Sequence, residues 1–243
     1  YFFKWQREAI NGLIEEAILE AEGKGTKGDE LNKSGEVYIQ KYPQLKVKVV
    51  DGSSLAVAVV LNSIPESTTQ VLIRGNLSKV ACAIALALSQ KVTQVVTLHR
   101  GEHEKLKIKI GMGDNIVLSK SYAYKIWLVG DGISDEEQLK APRGTTFIPF
   151  SQLPPKELRK DCSYHYTPAM ITPMSLENLD SCENGLPRRV MSAWRVAGIV
   201  HALEGWNVHE CGESMFDVER VWQASLQHGF RPLTTSKAYS INE

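Results

Sequence analysis

Apolar residues recur at helical spacing at the start of the chain. Phe3, Ile10, Leu13, Ile14, Ala17 and Ile18 fall near one face and predict a helix over residues 1–20. Glu22–Ser34, rich in Gly, Lys and Asp, reads as a loop. Strand and helix patterns then alternate. Leu45–Val50 predicts a short strand and Asp51-Gly52 a turn. Ser53 or Ser54 is placed to cap a helix over Leu55–Asn62, although Val57, Val59 and Val60 also suit a strand. Gln70–Ile73 predicts a strand, and Leu77–Ser89 a helix that is apolar almost all round and so belongs against a sheet. Gln94–Leu98 predicts the next strand. Leu106–Ile110 and Asn115–Leu118 read as strands or a hairpin around Gly111 and Gly113. Lys125–Val129 predicts a strand running into Gly130-Asp131-Gly132, Asp135–Lys140 a short helix, and Thr145–Pro149 a last strand.

Repeated strand–helix–strand units of this length predict an α/β fold: a doubly wound, mostly parallel, Rossmann-like sheet with helices on both faces. From Ser151 the texture changes. Prolines at 154, 155, 168, 173 and 187 interrupt the period, so Ser151–Leu186 reads as an irregular proline-rich cover, followed by helices at Pro187–Glu204 and Phe216–Gln227. The expected organisation is an N-terminal helix and linker (1–34), a Rossmann-like core (35–150), and a cover with C-terminal helices packed on the same domain (151–243).

Composition narrows the function classes. Lys plus Arg and Asp plus Glu are each 28, so the formal net charge is zero and no nucleic-acid partner is indicated. Cys82, Cys162, Cys182 and Cys211 form no CxxC and read as free thiols. The longest apolar runs, Leu55–Leu61 and Val80–Leu88, are far below the roughly 18–20 residues that span a bilayer. A first residue that is Tyr, with a helix pattern starting at once, suggests a piece of a longer chain. Tyr1, Phe2, Phe3 and Trp5 read as core residues or as part of an interfacial aromatic belt.

Several constellations could carry chemistry. The turn Arg74-Gly75-Asn76-Leu77-Ser78 stands between a strand and a helix, where a Rossmann fold binds pyrophosphate. One glycine remains there and no GxGxxG can be written, so a fold kept without cofactor competes with a site built from Arg74, Gly75, Asn76 and Ser78. The Tyr-x-x-x-Lys pair of a short-chain dehydrogenase would have to be Tyr42 and Lys46, and Pro43 between them argues against a shared helix. His201, Glu204, His209 and Cys211 offer metal donors at a spacing that matches no established zinc motif, so packing roles compete with a metal. Cys182 with His201 could form a thiolate–imidazole pair, against a structural Cys as the default. On a helix opening at Pro187, Arg188 and Arg195 share a stripe with Ser192, and Arg189 swings about 100° away. That places Arg188 and Arg195 as an anion or substrate site, or as partners of carboxylates such as Asp180 or Glu183.

Three stretches carry a family resemblance: LKVKVVDGSSLAVAVVLNSIP, LVGDGISDEEQLKAPRGTTFIPFSQLPPKELRKDCSYHYTPAMITP and SLENLDSCENGLPRRVMSAWRVAGIVHALEGWNVHECG. They closely resemble the C-terminal domain of the Eceriferum/Glossy group of plant wax proteins, in its very-long-chain aldehyde decarbonylase branch. The resemblance implies a parent enzyme of the endoplasmic reticulum membrane that turns very-long-chain aldehydes or acyl chains into cuticular alkanes, an oxygenative, deformylating reaction. It implies an N-terminal membrane domain with His boxes and iron, NADPH for the parent reaction, a paralogous partner protein and cytochrome b5. Homo-oligomers are compatible with it. This chain departs from the parent: of its six His (99, 103, 165, 201, 209, 228) only His99 and His103 stand at HxxxH spacing and no HxxHH can be written, so iron is expected elsewhere and this part alone is expected to be inactive. A short apolar strand expected before the GDELN segment is missing where Thr26-Lys27-Gly28-Asp29 runs through. The resemblance thus implies a soluble, cytosol-facing domain serving substrate or partner binding. Two alternatives are an NAD(P)-dependent acyl or aldehyde reductase and a pure partner-interaction module.

Overall fold

The computed structural model describes residues 36–41, 43, 44, 46, 48–91, 93–111, 115–131, 133–151, 158–176 and 186–233. The expected helix at 1–20, the loop after it, the Thr26–Asp29 segment, Tyr42 and Cys182 lie outside them.

The chain divides into two compact units, residues 1–51 with 207–214, and residues 52–206 with 215–243. The smaller contains helix α1 (Glu36–Lys41). Of the strand expected at Leu45–Val50, the described residues keep one parallel bridge, Val50 to Glu210. Three hydrogen bonds hold it: Asp51 N–H to Glu210 O at 2.7 Å, Glu210 N–H to Val49 O at 3.0 Å, and Val49 N–H to His209 Nδ1 at 3.1 Å.

The larger unit is α/β. Its elements run α2 (Ser53–Ser63), β1 (Gln70–Arg74), α3 (Lys79–Gln90), β2 (Gln94–Thr97), α4 (Arg100–Ile110), β3 (Ile116–Leu118), β4 (Ile126–Val129), α5 (Asp135–Gln138), β5 (Thr146–Pro149) and β6 (Ser163–Tyr164). These six strands form one parallel sheet in the order β3-β2-β1-β4-β5-β6, consistent with a Rossmann-like sheet. After it come β7 (Ala169–Ile171), β8 (Val190–Ser192), α6 (Ala193–Leu203), α7 (Val218–Gln227) and β9 (Arg231–Pro232), with β8-β7-β9 forming a small antiparallel sheet.

Residues Leu55–Val60 of α2 are all buried, and α2 packs against α3, α6 and α7. A helix enclosed on every side has no use for a polar face, which is why its valines gave no period. Neither Ser53 nor Ser54 caps it. Both are buried in its first turn, and the cap is Gly52, at φ 73°. A Cβ there would stand 2.4 Å from Trp194 O, so the left-handed dihedral and the close backbone pass both require glycine.

Three further expectations are corrected. Leu106–Ile110 is the end of α4, not a strand: Lys-Leu-Lys-Ile-Lys-Ile alternates with period two, yet the helix buries Leu106 and leaves Ile108 83% exposed. The segment 151–186, expected to be irregular, contributes β6 to the main sheet and β7 to the second. Pro187–Glu204 is not one helix. Pro187-Arg188-Arg189 turns, with Val190 N–H donating to Pro187 O at 3.1 Å, then β8 pairs with β7, and α6 starts only at Ala193.

The aromatic side of the core sits under β4 and β5. Tyr122, Trp127, Phe147 and Tyr164 form a ladder with successive ring centroids 5.9, 5.4 and 4.7 Å apart. Arg159 closes its edge, donating to Gln138 O and Ala141 O at 2.8 and 2.7 Å and to Asp161 at 2.8 Å. Burial of each large side chain in such a core contributes about 1.5–3 kcal/mol.

Candidate functional site

In an open parallel sheet, ligands bind outside the carboxyl ends of the strands where the strand order reverses. Here that point lies between β1 and β4. Arg74 ends β1, and its register partner Val129 ends β4. The two following loops lie against each other. Gly130 N–H donates to Arg74 O at 2.9 Å, and Asn76 N–H to Asp131 O at 2.7 Å. Gly75 adopts φ 100°, and a Cβ on it would be 2.6 Å from Gly130 O. A Cβ on Gly130 would enter the Phe150 ring at 2.3 Å. The glycines of this crevice thus admit backbone and a core ring.

Arg74 is only 5% exposed. Its Nε donates to Glu137 Oε1 at 2.5 Å, and its Nη1 to both oxygens of Glu102, at 2.7 and 2.5 Å. Glu102 comes from the first turn of α4 after β2, and Glu137 from α5 after β4. Burial pulls the guanidinium pKa down, but the hydrogen bond to Glu137 and the charge of Glu102 outweigh it and hold it above the ordinary arginine value. One cation against two carboxylates leaves the group at net −1. The loop and helix after β4 add Asp131, Asp135 and Glu136 nearby in sequence.

The other residues of this turn are also engaged. Ser78 Oγ caps α3 by accepting from Ala81 N–H at 3.3 Å, and Ser78 N–H donates to Asn76 O at 2.9 Å. The Arg74 side chain, the Asn76 and Ser78 N–H groups and the Ser78 hydroxyl are thus engaged within the fold.

Sequence reasoning singled out Arg74 but missed both of its partners. Ser134-x-x-Glu137 has the form of a capping box, and Ser134 Oγ does accept from Glu137 N–H at 3.2 Å. The Glu137 carboxylate instead reaches Arg74 across the strand order, which no local pattern encodes. Glu102 sat in a stretch where only the later, alternating half attracted a reading.

The remaining candidates are dispersed. Arg188 is exposed in the turn before β8 and Arg195 exposed on the first turn of α6, so the helical stripe expected to join them does not exist. Arg189 has a different role. At φ 62°, its carbonyl accepts from Thr172 N–H and Oγ1 at 2.9 and 3.1 Å, and its Nη2 donates to Pro173 O at 2.6 Å. His201 and Glu204 belong to the larger unit, and His209 and Cys211 to the smaller. His201 lies edge-on to Trp206 and Phe216, with centroids 4.8 and 4.7 Å away, and Glu204 Oε1 is 2.8 Å from His228 Nε2. Among the described residues no three His, Cys, Asp or Glu side chains are grouped to hold a metal. Among the described residues Cys82, Cys162 and Cys211 form no disulfide, and burial raises the Cys162 pKa. Burial likewise lowers that of His165. No helix among the described residues is long and apolar enough to cross a membrane.

Comparison with known proteins gives the class. Residues 71–232 match the family described as CER1-like, C-terminal domain, and the chain belongs to that family. Protein CER1-like 1 of Arabidopsis thaliana is 54% identical, the alignment covering 97% of this chain and 40% of that protein. The very-long-chain aldehyde decarbonylase CER1 of the same plant is 55% identical over 96% of this chain and 40% of its own length. The very-long-chain aldehyde decarbonylase GL1-5 of Oryza sativa subsp. indica is 52% identical over the same shares. The chain thus spans about two-fifths of the length of these relatives.

Proposed function

We propose that this chain is the C-terminal part of a very-long-chain aldehyde decarbonylase acting in alkane and wax biosynthesis, and that it serves the reaction by binding substrate or partner protein rather than by supplying reactive groups. Identity of 55% to a protein named for that activity, sustained over 96% of the chain, carries this reading. Its fold in this reading is a doubly wound sheet with helices on both faces. Oxygenative, deformylating chemistry, with iron and an NADPH supply, belongs to the rest of a parent protein at the endoplasmic reticulum membrane, where a paralogous partner and cytochrome b5 would assemble. The reductase alternative draws support from the strand order β3-β2-β1-β4-β5-β6. Against it weighs the engaged turn after β1. The test is alkane formation from a very-long-chain aldehyde by the full-length parent, by the parent lacking this part, and by this part alone. The reading requires product from the first only. Alkane from this part alone, or none from the full-length parent, would overturn it.

A further inference from the structure

We infer that the crevice at the carboxyl ends of β1 and β4 is an anion site shut from within: Arg74 is its anion-binding residue, and the carboxylates of Glu102 and Glu137 occupy that residue where a phosphate would otherwise lie. The inference does not depend on the decarbonylase reading.

Three independent observations converge on it. The first is position. Arg74 is the last residue of β1 at the reversal of strand order, where a parallel sheet presents its ligand site. The second is geometry. A guanidinium receives a phosphate through parallel N–H donors. Here those donors are turned to carboxylates instead: Nη1 lies within hydrogen-bond distance of both oxygens of Glu102, and Nε donates to Glu137. The third is backbone closure. The Asn76 N–H to Asp131 O bond and the close approach of Gly75 to Gly130 hold the loops after β1 and β4 together beside Arg74.

Charge completes the exclusion. Two carboxylates around one buried guanidinium make the site repel anions, and each acid comes from a different helix, so the closure clasps α4 and α5 to the end of β1. Glu102 and Glu137 are therefore specificity-determining residues: their charge decides that the crevice takes no phosphate-bearing ligand. Neutralising both exposes a latent site for the phosphate class.

The experiment measures inorganic pyrophosphate and NADPH binding, by calorimetry and by thermal shift, to the unaltered chain, to E102Q/E137Q, and to R74M/E102Q/E137Q. The expected result is no saturable binding to the unaltered chain. The double variant should gain pyrophosphate affinity by at least about tenfold over it, and the triple variant should lose that gain. Binding to the unaltered chain as tight as to the double variant would overturn the inference. So would a folded double variant without the gain, or a gain that survives loss of Arg74. If E102Q/E137Q does not fold, E102Q, at the more exposed of the two pairs, is judged by the same criterion. A further readout uses the unaltered chain alone: the Arg74 Nε–H resonance should be slow to exchange and unmoved by pyrophosphate, and a shift on addition would contradict the closure.

Discussion

At the carboxyl end of the six-stranded sheet a buried guanidinium is gripped by two carboxylates, whereas the amino end opens into a polar cleft of about 410 Å³ lined by Pro65, Ser67, Thr68, Thr69, Gln70 and residues 123–126. The two ends belong to the same strands, β1 and β4. At the first, loops are zipped by backbone bonds and a glycine that admits no side chain. At the second, Ser67 and Thr69 are exposed, and Lys125 Nζ donates to the nearby Arg143 O at 3.0 Å. The difference teaches that the place where a sheet conventionally works need not be the place where its sequence leaves room. Here the carboxyl end has become a structural joint.

That contrast can be broken by substitution. Replacing Arg74 with Met strands two carboxylates beside a buried apolar group and should destabilise the chain by about 3–5 kcal/mol in chemical denaturation. A loss under about 1 kcal/mol would mean that the triad is a solvated surface cluster. Gly75→Ala puts a Cβ onto the Gly130 and Asp131 carbonyls at a left-handed dihedral, for an expected loss of about 1–3 kcal/mol. No loss would show that the two loops part easily.

Smaller effects sharpen the contrast. His165, beside β6, is held below its usual pKa by burial. Below the unfolded value near 6.5 the unfolded chain takes up a proton that the folded chain resists. Stability should therefore fall as pH drops through that region and recover above it. His165→Asn should flatten this acid-side slope in denaturation midpoints measured between about pH 7.5 and 5.5. An unchanged slope would assign the acid sensitivity elsewhere. At the amino end, Ser67→Ala should change stability by no more than about 0.5 kcal/mol, as for an exposed side chain. A larger loss would show that the cleft is a joint as well.

Much of the fold was legible in the sequence because buried parallel strands are short continuous apolar runs. Gln70–Ile73, Gln94–Leu98, Lys125–Val129 and Thr145–Pro149 were each placed within a residue of β1, β2, β4 and β5. Two kinds of element escaped. One was α4, whose Lys-Leu-Lys-Ile-Lys-Ile run mimics a strand because exposed Ile108 satisfies the period without a core contact. The other was the small antiparallel sheet. There Arg189 must take a positive φ and bind backbone carbonyls, so a sequence that favours a helix from Pro187 yields to pairing with β7. Of the candidate site, Arg74 could be read from its place after a strand. Glu102 and Glu137 could not, since 28 and 63 residues separate them from the side chain they serve.

Calorimetric titration of the unaltered chain with NADPH tests the central claim, that the carboxyl end of the sheet is closed from within, most directly. The account predicts no saturable heat up to about 1 mM ligand. Saturable binding below that concentration, abolished by Arg74→Met in a chain that remains folded, would contradict it.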